Sequence, residues 1–207
     1  MSTSMPYGAR RVTVTRDHIE DLRVHGPGAC LTWHEDTRQV EAVGPHTALN
    51  PSRMIITGYQ GLCDMADYYA AEGHEVTDDA LAQDLTDIAT DWRTDWPGIR
   101  AMNLQVEDLR GALADMGAYL SAAPIFMLPR HGLPQMTDYY RLAGGSHLAS
   151  VTVSFGFTEP TRITAEDPDN DNQPIADLTL GTSGTLTHAA TSRLIASTVT
   201  SALNQGR

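Results

Sequence analysis

The chain has 207 residues, which is enough for one domain with a full hydrophobic core but leaves little room for a second. Hydrophobic residues make up 41% of it and no long single-residue tract is present, a composition that excludes an intrinsically disordered chain. Twenty-six acidic residues against fourteen basic ones give a formal charge of -12, a field that repels phosphate backbones, so we expect no nucleic-acid partner.

The first residues, MSTSMPYGARRVTV, lack the apolar core of a signal peptide, and no later segment reaches the ~18 apolar residues of a membrane span. We therefore expect a soluble, cytoplasmic protein with no membrane partner. The two cysteines, Cys30 and Cys63, are too few for a disulfide framework and lack the spacing of a zinc knuckle. One of them is thus free to act as a nucleophile.

Residues 10–50 alternate short apolar runs with turn signals, a pattern typical of strands. The runs are RRVTVTR, ACLTWHE and RQVEAVG, with HGPG and EDT between them. This pattern predicts a β-hairpin or small sheet in residues 1–50, an extension that packs on a main domain formed by residues 51–207.

Three helices are predicted next. The first begins at or near Cys63 and ends at Gly73, where a glycine C-cap is expected. The second, in VTDDALAQDLTDIATDW, has Thr77 as its N-cap, and the third covers VEDLRGALADMGAYL.

After these helices the apolar period changes to that of strands. Strands are predicted in APIFMLP, HLASVTVSFGF and TRITAED, followed by a hairpin around Gly181 and Gly184 and a last helix at AATSRLIASTVTSAL. Helices followed by antiparallel strands indicate the α+β class, with the helices packed on an antiparallel sheet.

The order of three residues along these elements suggests a catalytic site. Cys63 opens a helix, where the helix dipole favours a thiolate, and His147 begins a strand, from which an imidazole can act as base. Asp167 ends the next antiparallel strand and can reach the other ring nitrogen, which would fix the histidine tautomer.

Three sequence blocks between about Met54 and Leu180 resemble the C39-like cysteine peptidases, a bacterial branch of the papain-like fold. They are GYQGLCDMADYYAAEGHEVTDDALAQDL, VEDLRGALADMGAYLSAAPIFMLP, and GGSHLASVTVSFGF followed by ITAEDPDN. The blocks are similar to the family's cysteine helix, to the helix and strand that follow it, and to its Gly-His strand and Asp-Pro turn.

This resemblance implies a papain-like fold and cleavage or transfer of an acyl group at a peptide or amide bond. Cys63 would be the nucleophile, His147 the general base and Asp167 its orienter, acting on a peptide or protein substrate with no metal or organic cofactor. The family's oxyanion-hole glutamine usually stands about six residues before the cysteine, where this chain has Thr57. We therefore expect the Gln60 side-chain amide and the Cys63 backbone N–H to be the oxyanion donors.

Three further residues are candidates to line the cleft, namely His131, Tyr139 and Tyr140.

DPDNDNQ has the alternating carboxylates of a calcium loop, but Asn172 replaces its glycine and Leu178 its closing glutamate. The eight histidines show no HExxH or close paired spacing. We therefore expect no metal site.

Two alternatives to an enzyme stay open. The first is a binding protein that keeps the fold and has lost catalysis, which Asp64 beside the thiol and the displaced glutamine favour. The second is a structural protein in which Cys30 and Cys63 form a disulfide, which would remove the nucleophile.

Overall fold

The computed structural model describes residues 11–127, 133–142, 145–155, 161–180 and 188–205. Its helices are α1 (Arg16–His25), α2 (Pro45–Ala48), α3 (Tyr59–Ala71), α4 (Asp78–Thr94), α5 (Trp96–Asp115) and α6 (His188–Gln205). Its strands are β1 (Cys30–His34), β2 (Val40–Val43), β3 (Arg53–Gly58), β4 (Ala118–Leu120), β5 (Ile125–Met127), β6 (Gln135–Leu142), β7 (Ala149–Ser154), β8 (Thr161–Asp167) and β9 (Gln173–Leu180).

A small antiparallel sheet has the strand order β2-β1-β3. The β1–β2 hairpin, in which Cys30 lies opposite Val43, is the hairpin that the sequence predicts. On its other edge β1 pairs with β3, so that this one sheet contains residues from both sides of residue 50. Helices α1 and α4 pack against the sheet and against each other.

A larger antiparallel sheet has the order β4-β6-β7-β8-β9. Both β4 and β5 pair with β6, β4 near Tyr140 and β5 near Thr137, so they lie end to end along the same edge. Helix α6 packs on α5 and contacts β6 and β9. The chain is therefore an α+β protein with helices on antiparallel sheets, as expected from the order of its elements.

Two predicted elements were wrong in their extent. RRVTVTR forms no strand in its described residues: Val12 and Val14 are buried, but the Val14 backbone bonds with the Thr86 hydroxyl of α4 in place of a neighbouring strand. The third predicted helix starts earlier, at Trp96, where Pro97 suits a helix start, and it stops before Ala118–Leu120, which form β4. The second arm of the hairpin predicted around Gly181 and Gly184 lies largely outside the described residues.

Candidate functional site

The start of α3 lies directly against β4. Gly58 is both the last residue of β3 and the N-cap of α3, and a Cβ added there would lie 2.9 Å from the carbonyl oxygens of Leu120 and Ser121. Because real Cβ atoms do not approach oxygen so closely, glycine is the residue that permits this contact. The close approach of Gly58 to the Leu120 and Ser121 carbonyls therefore positions the start of α3 against the end of β4.

Two of the first backbone donors of α3 are already bound. The Tyr59 N–H donates to the Ala29 carbonyl at 2.9 Å, and the Gly61 N–H donates to the Ser121 carbonyl at 2.6 Å. Such N–H groups at a helix start are the ones that commonly bind anions. Here the acceptors are the carbonyls of the residue before β1 and of the residue after β4.

Cys63 does not open this helix, contrary to the prediction from sequence. It is the fifth residue of α3, since β3 continues into the helix through Gly58. At this depth its backbone N–H is within reach of the Tyr59 carbonyl in the regular helical pattern, and it is not a free oxyanion donor. The thiol is half-buried and free, and within the described part of the chain it forms no hydrogen bond with His147.

The side chain of Gln60, the other expected oxyanion donor, is bound by a neighbour. Its amide nitrogen donates to an Asp64 carboxylate oxygen at 2.8 Å, four residues along the same helix. Asp64, which follows Cys63 in the sequence, therefore accepts a hydrogen bond from the Gln60 amide. Gln60 and Asp64 form a pair on the surface of α3, so one of the two N–H donors of the amide is directed at a carboxylate and not at an oxyanion.

The structure brings His147 and Asp167 together. The His147 Nε2 atom lies 3.5 Å from the Asp167 carboxylate, and Nδ1 lies 3.7 Å from the carboxylate of Asp169. Asp169 is held there because it accepts the Leu148 backbone N–H at 2.9 Å. Both ring nitrogens of this half-buried histidine thus face carboxylates. In a catalytic triad the nitrogen that does not face Asp167 would face the thiol, and here Nδ1 faces Asp169.

A cleft of about 110 Å³ lies between the start of α3 and the edge of the larger sheet. Four segments form it: the turn before β1, the first residues of α3, β4 and the end of β6. Its lining includes Gly28, Tyr59, Gln60, Tyr119, Arg141 and Gly145. Cys63 is not among the described residues that line it, and His147 follows Gly145 by two residues.

The other cleft candidates from sequence have different positions. Tyr140 is 1% exposed and donates its hydroxyl to Asp138 at 3.0 Å, so it belongs to the core and does not line the cleft. The Tyr139 carbonyl accepts the Ser121 backbone N–H at 2.8 Å, which holds the end of β4 to β6. His131 lies outside the described residues.

A buried polar cluster between α5 and β6 was not found from the sequence. Arg110 of α5 and Asp138 of β6 pair there, and Asn103 accepts a further hydrogen bond from the guanidinium at 2.8 Å. Cys30 is buried close by, and its burial raises the pKa of the thiol to about 12. Because the thiol is 1% exposed and its pKa is raised, Cys30 is a poor candidate for a nucleophile. An arginine and an aspartate 28 positions apart carry no signal of pairing in a single sequence.

Neither cysteine forms a disulfide, so the predicted alternative of a Cys30–Cys63 bridge is not observed. Within the described residues, no three His, Cys, Asp or Glu side chains are grouped closely enough to hold a metal ion. None of the helices in that part of the chain is both long and apolar enough to cross a lipid bilayer.

Comparisons with protein-family models, with curated proteins and with solved structures give no match for this chain. The resemblance to the C39-like cysteine peptidases therefore stays a prediction that depends on the sequence blocks quoted above.

Proposed function

We propose that this chain is a non-catalytic binding protein with a papain-like α+β architecture, and that the cleft beside Gln60 holds its ligand. One observation carries the proposal: the residues of α3 that line the cleft are Tyr59 and Gln60, and the Gln60 amide donates to Asp64. Neither side chain is a thiol, and Cys63 follows Gln60 by three residues, a rise of about 4.5 Å along the helix axis. The order of the helices, of β7 and of β8, which ends at Asp167, supports the papain-like architecture, although β7 starts at Ala149 and His147 lies two residues before it and does not begin the strand as predicted.

The donors around the cleft support the same proposal. Acyl transfer needs unoccupied donors aimed at the developing oxyanion, and losing one typically costs on the order of 10²- to 10³-fold in rate. Here the N–H groups of Tyr59 and Gly61 donate to carbonyls, and one of the two N–H donors of the Gln60 amide is bound to a carboxylate.

The test compares the thiol with the cleft. Small acidic, neutral and basic fragments are titrated into the ¹⁵N-labelled protein, and we expect chemical-shift changes at the backbone amides of Gln60, Tyr119 and Gly145. Cys63→Ala should leave these shifts and the fragment affinities unchanged. Fragments that bind elsewhere on the surface, or binding that disappears with the thiol, would contradict the proposal.

A second candidate function is that of a cysteine hydrolase or acyl transferase, and the contact between His147 and Asp167 is the observation that favours it. An imidazole oriented by a carboxylate is the base that a cysteine nucleophile requires. For this function the Cys63 thiol and the His147 ring would have to meet when a peptide or amide substrate binds, and Asp169 would have to move away from Nδ1.

The two candidates differ in how Cys63 reacts. A thiolate held by an imidazolium is alkylated by iodoacetamide even in mildly acidic solution. For the binding protein, His147→Ala should leave the rate of Cys63 alkylation at pH 6 unchanged. The enzyme predicts a loss of about 10-fold or more, because the imidazolium no longer stabilises the thiolate. His46→Ala, at an exposed position in α2, is the matched control.

A further inference from the structure

Arg141, at the end of β6, has a partly buried side chain with no partner in the described part of the chain. Its Nε atom is shielded from solvent and has no hydrogen-bond acceptor, and among the described residues no carboxylate lies within salt-bridge distance of the guanidinium. The protein has twenty-six acidic residues, so a lack of available carboxylates does not explain this. An unpaired cation that is partly removed from water destabilises a fold unless something else solvates it.

The other described arginines show how unusual this is. Six of them form ion pairs with Asp or Glu, and Arg93 lies over the ring of Trp33 at 5.4 Å from its centroid. The side chains of Arg16, Arg38 and Arg193 are exposed, where water solvates the charge. Arg141 is the described arginine that is both partly buried and without a counter-ion or an aromatic ring.

Arg141 lines the cleft beside Gln60, on the face of β6 that points away from α5. Tyr119 lies directly opposite it on β4, so both side chains project from the same face of the sheet. The rest of the lining contains Tyr59, and also Leu120 and Leu142, whose side chains project to the buried face of their strands. The cleft thus combines the unpaired Arg141 guanidinium with the aromatic side chains of Tyr59 and Tyr119, and such a mixture of apolar and polar groups is typical of specific small-molecule sites.

The volume and the net charge limit what can bind there. About 110 Å³ is well below the ~300 to 1,000 Å³ of pockets that enclose drug-sized ligands, so the cleft can take a small group or the end of a larger one. A formal charge of -12 repels a dianion more strongly than a monoanion, which favours a carboxylate over a phosphate. A planar guanidinium also matches the geometry of a carboxylate.

We infer that the cleft beside Gln60 binds the carboxylate of a small apolar acid, with the Arg141 guanidinium as its counter-ion. This inference rests on the proposed binding function and names the ligand class for the same site. The acid is either free or the C-terminal residue of a peptide, because both present a carboxylate next to one apolar side chain.

The test uses a panel of N-acetyl amino acids with aliphatic and aromatic side chains, their primary amides, a tripeptide with a free or amidated C-terminus, and inorganic phosphate. Affinities come from NMR titration and calorimetry. We expect at least one free carboxylate to bind at the cleft amides, and its amide to bind roughly 10- to 100-fold more weakly, as for loss of a charge-assisted hydrogen bond. Stronger binding of the tripeptide than of the free acid would identify a peptide C-terminus as the source.

Variants of Arg141 give the second readout. Arg141→Met should weaken binding by the same roughly 10- to 100-fold, and Arg141→Lys, which keeps the charge but not the planar fork, by less. Arg193→Met makes the same change in net charge at an exposed position of α6 and should have no effect. Without ligand, the Tm of Arg141→Met should be equal to or higher than that of the parent, because an unpaired cation is removed.

Several results would overturn the inference. In the ligand panel they are equal affinities of an acid and its amide, tighter binding of phosphate than of the carboxylates, or no binding by any carboxylate. For the variant they are an unchanged ligand affinity of Arg141→Met, or a clear fall in the ligand-free Tm of Arg141→Met. If neutral or basic fragments still shift the cleft amides, the binding function survives and the ligand class is wrong. If no fragment of any charge shifts them, the proposed function fails together with the inference.

Discussion

The Arg110 guanidinium forms two parallel hydrogen bonds with the Asp138 carboxylate, at 2.7 and 2.8 Å, where both side chains are at most 5% exposed. Burial by itself would lower the pKa of Arg110, but the carboxylate and its hydrogen bonds raise the pKa above its usual value. The pair joins α5 to the strand that both β4 and β5 contact. It therefore supports the sheet edge that carries the cleft.

Replacing one member of this pair should be strongly destabilising. Asp138→Asn or Arg110→Met should each lower the free energy of unfolding by about 3 to 5 kcal/mol, because a buried charge is left without its partner. The double variant Arg110→Met/Asp138→Leu should recover much of that loss. Urea denaturation followed by circular dichroism measures all three.

The control for this prediction is the exposed pair Arg162–Asp177, which also has two hydrogen bonds. Arg162→Met should leave the urea midpoint almost unchanged, since exposed ion pairs contribute little to stability. Similar losses for Arg110→Met and Arg162→Met would show that burial is not the cause.

Gly58 should be intolerant of any side chain. Gly58→Ala places a methyl group 2.9 Å from two backbone carbonyl oxygens of the β4 segment, so either α3 or β4 must shift, at a cost of roughly 1 to 3 kcal/mol. Gly111→Ala, in α5, meets no atom within 4 Å and should stabilise the protein by about 0.5 to 1 kcal/mol. Thermal unfolding measures both variants, and equal effects would refute this account of Gly58.

The position of Gln60 in the cleft can be tested with an introduced thiol. In Gln60→Cys/Cys63→Ala, a carboxylate that fills the cleft should slow alkylation of the new thiol by iodoacetamide in proportion to cleft occupancy. In the parent protein the same ligand should leave Cys63 alkylation unchanged, since Cys63 is not part of the described lining. The rates are read by mass spectrometry of the labelled peptides. Protection of Cys63 and not of the introduced thiol would place the cleft one turn further along α3.

Cys30 should make stability fall in alkaline solution. Its pKa is raised from 9.0 to about 12 by burial, with Arg110 lowering and Asp138 raising it to a smaller extent. Between these values the unfolded chain has lost the thiol proton and the folded chain has kept it. The folded state binds more protons in this window, so the free energy of unfolding decreases as pH rises, by up to about 1.4 kcal/mol per pH unit.

Urea denaturation at intervals between pH 8 and pH 11 tests this, with Cys30→Ala as the variant that lacks the effect. Burial also raises the pKa of Tyr140 and acts in the same direction, so the slope of Cys30→Ala should be reduced and not abolished. Cys63→Ala should keep the parent slope. If Cys30→Ala keeps it too, the thiol does not contribute to the alkaline loss.

Several features of this fold follow from local sequence. Thr77 precedes acidic residues and an apolar helical period, and its hydroxyl does cap α4 by accepting the Ala80 N–H. The strands β7 and β8 are neighbours in sequence and pair antiparallel, which brings the end of β8 to the start of β7. The proximity of His147 and Asp167 follows from that local pairing, and this is why the sequence could suggest it.

Strand β6 shows where local patterns mislead. Its buried face consists of Met136, Asp138, Tyr140 and Leu142, with the aspartate interrupting an otherwise apolar alternation. An aspartate on a core face is acceptable here because Arg110 neutralises it from a distant helix. The apolar alternation typical of a strand is therefore interrupted by Asp138, whose burial depends on an ion pair with a residue far away in the sequence.

The sequence alone predicts the α+β class, the order of the elements from α3 to α6 except β4 and β6, and the neighbourhood of His147. The tertiary structure decides which residues of α3 line the cleft, because Gly58 fits against the Leu120 and Ser121 carbonyls and so sets the start of the helix ahead of Cys63. The same is true of Arg141, since its lack of a counter-ion among the described residues is a property of its surroundings in space. Helix register and charge pairing depend on contacts between segments far apart in the chain, and no local pattern of residue types records them.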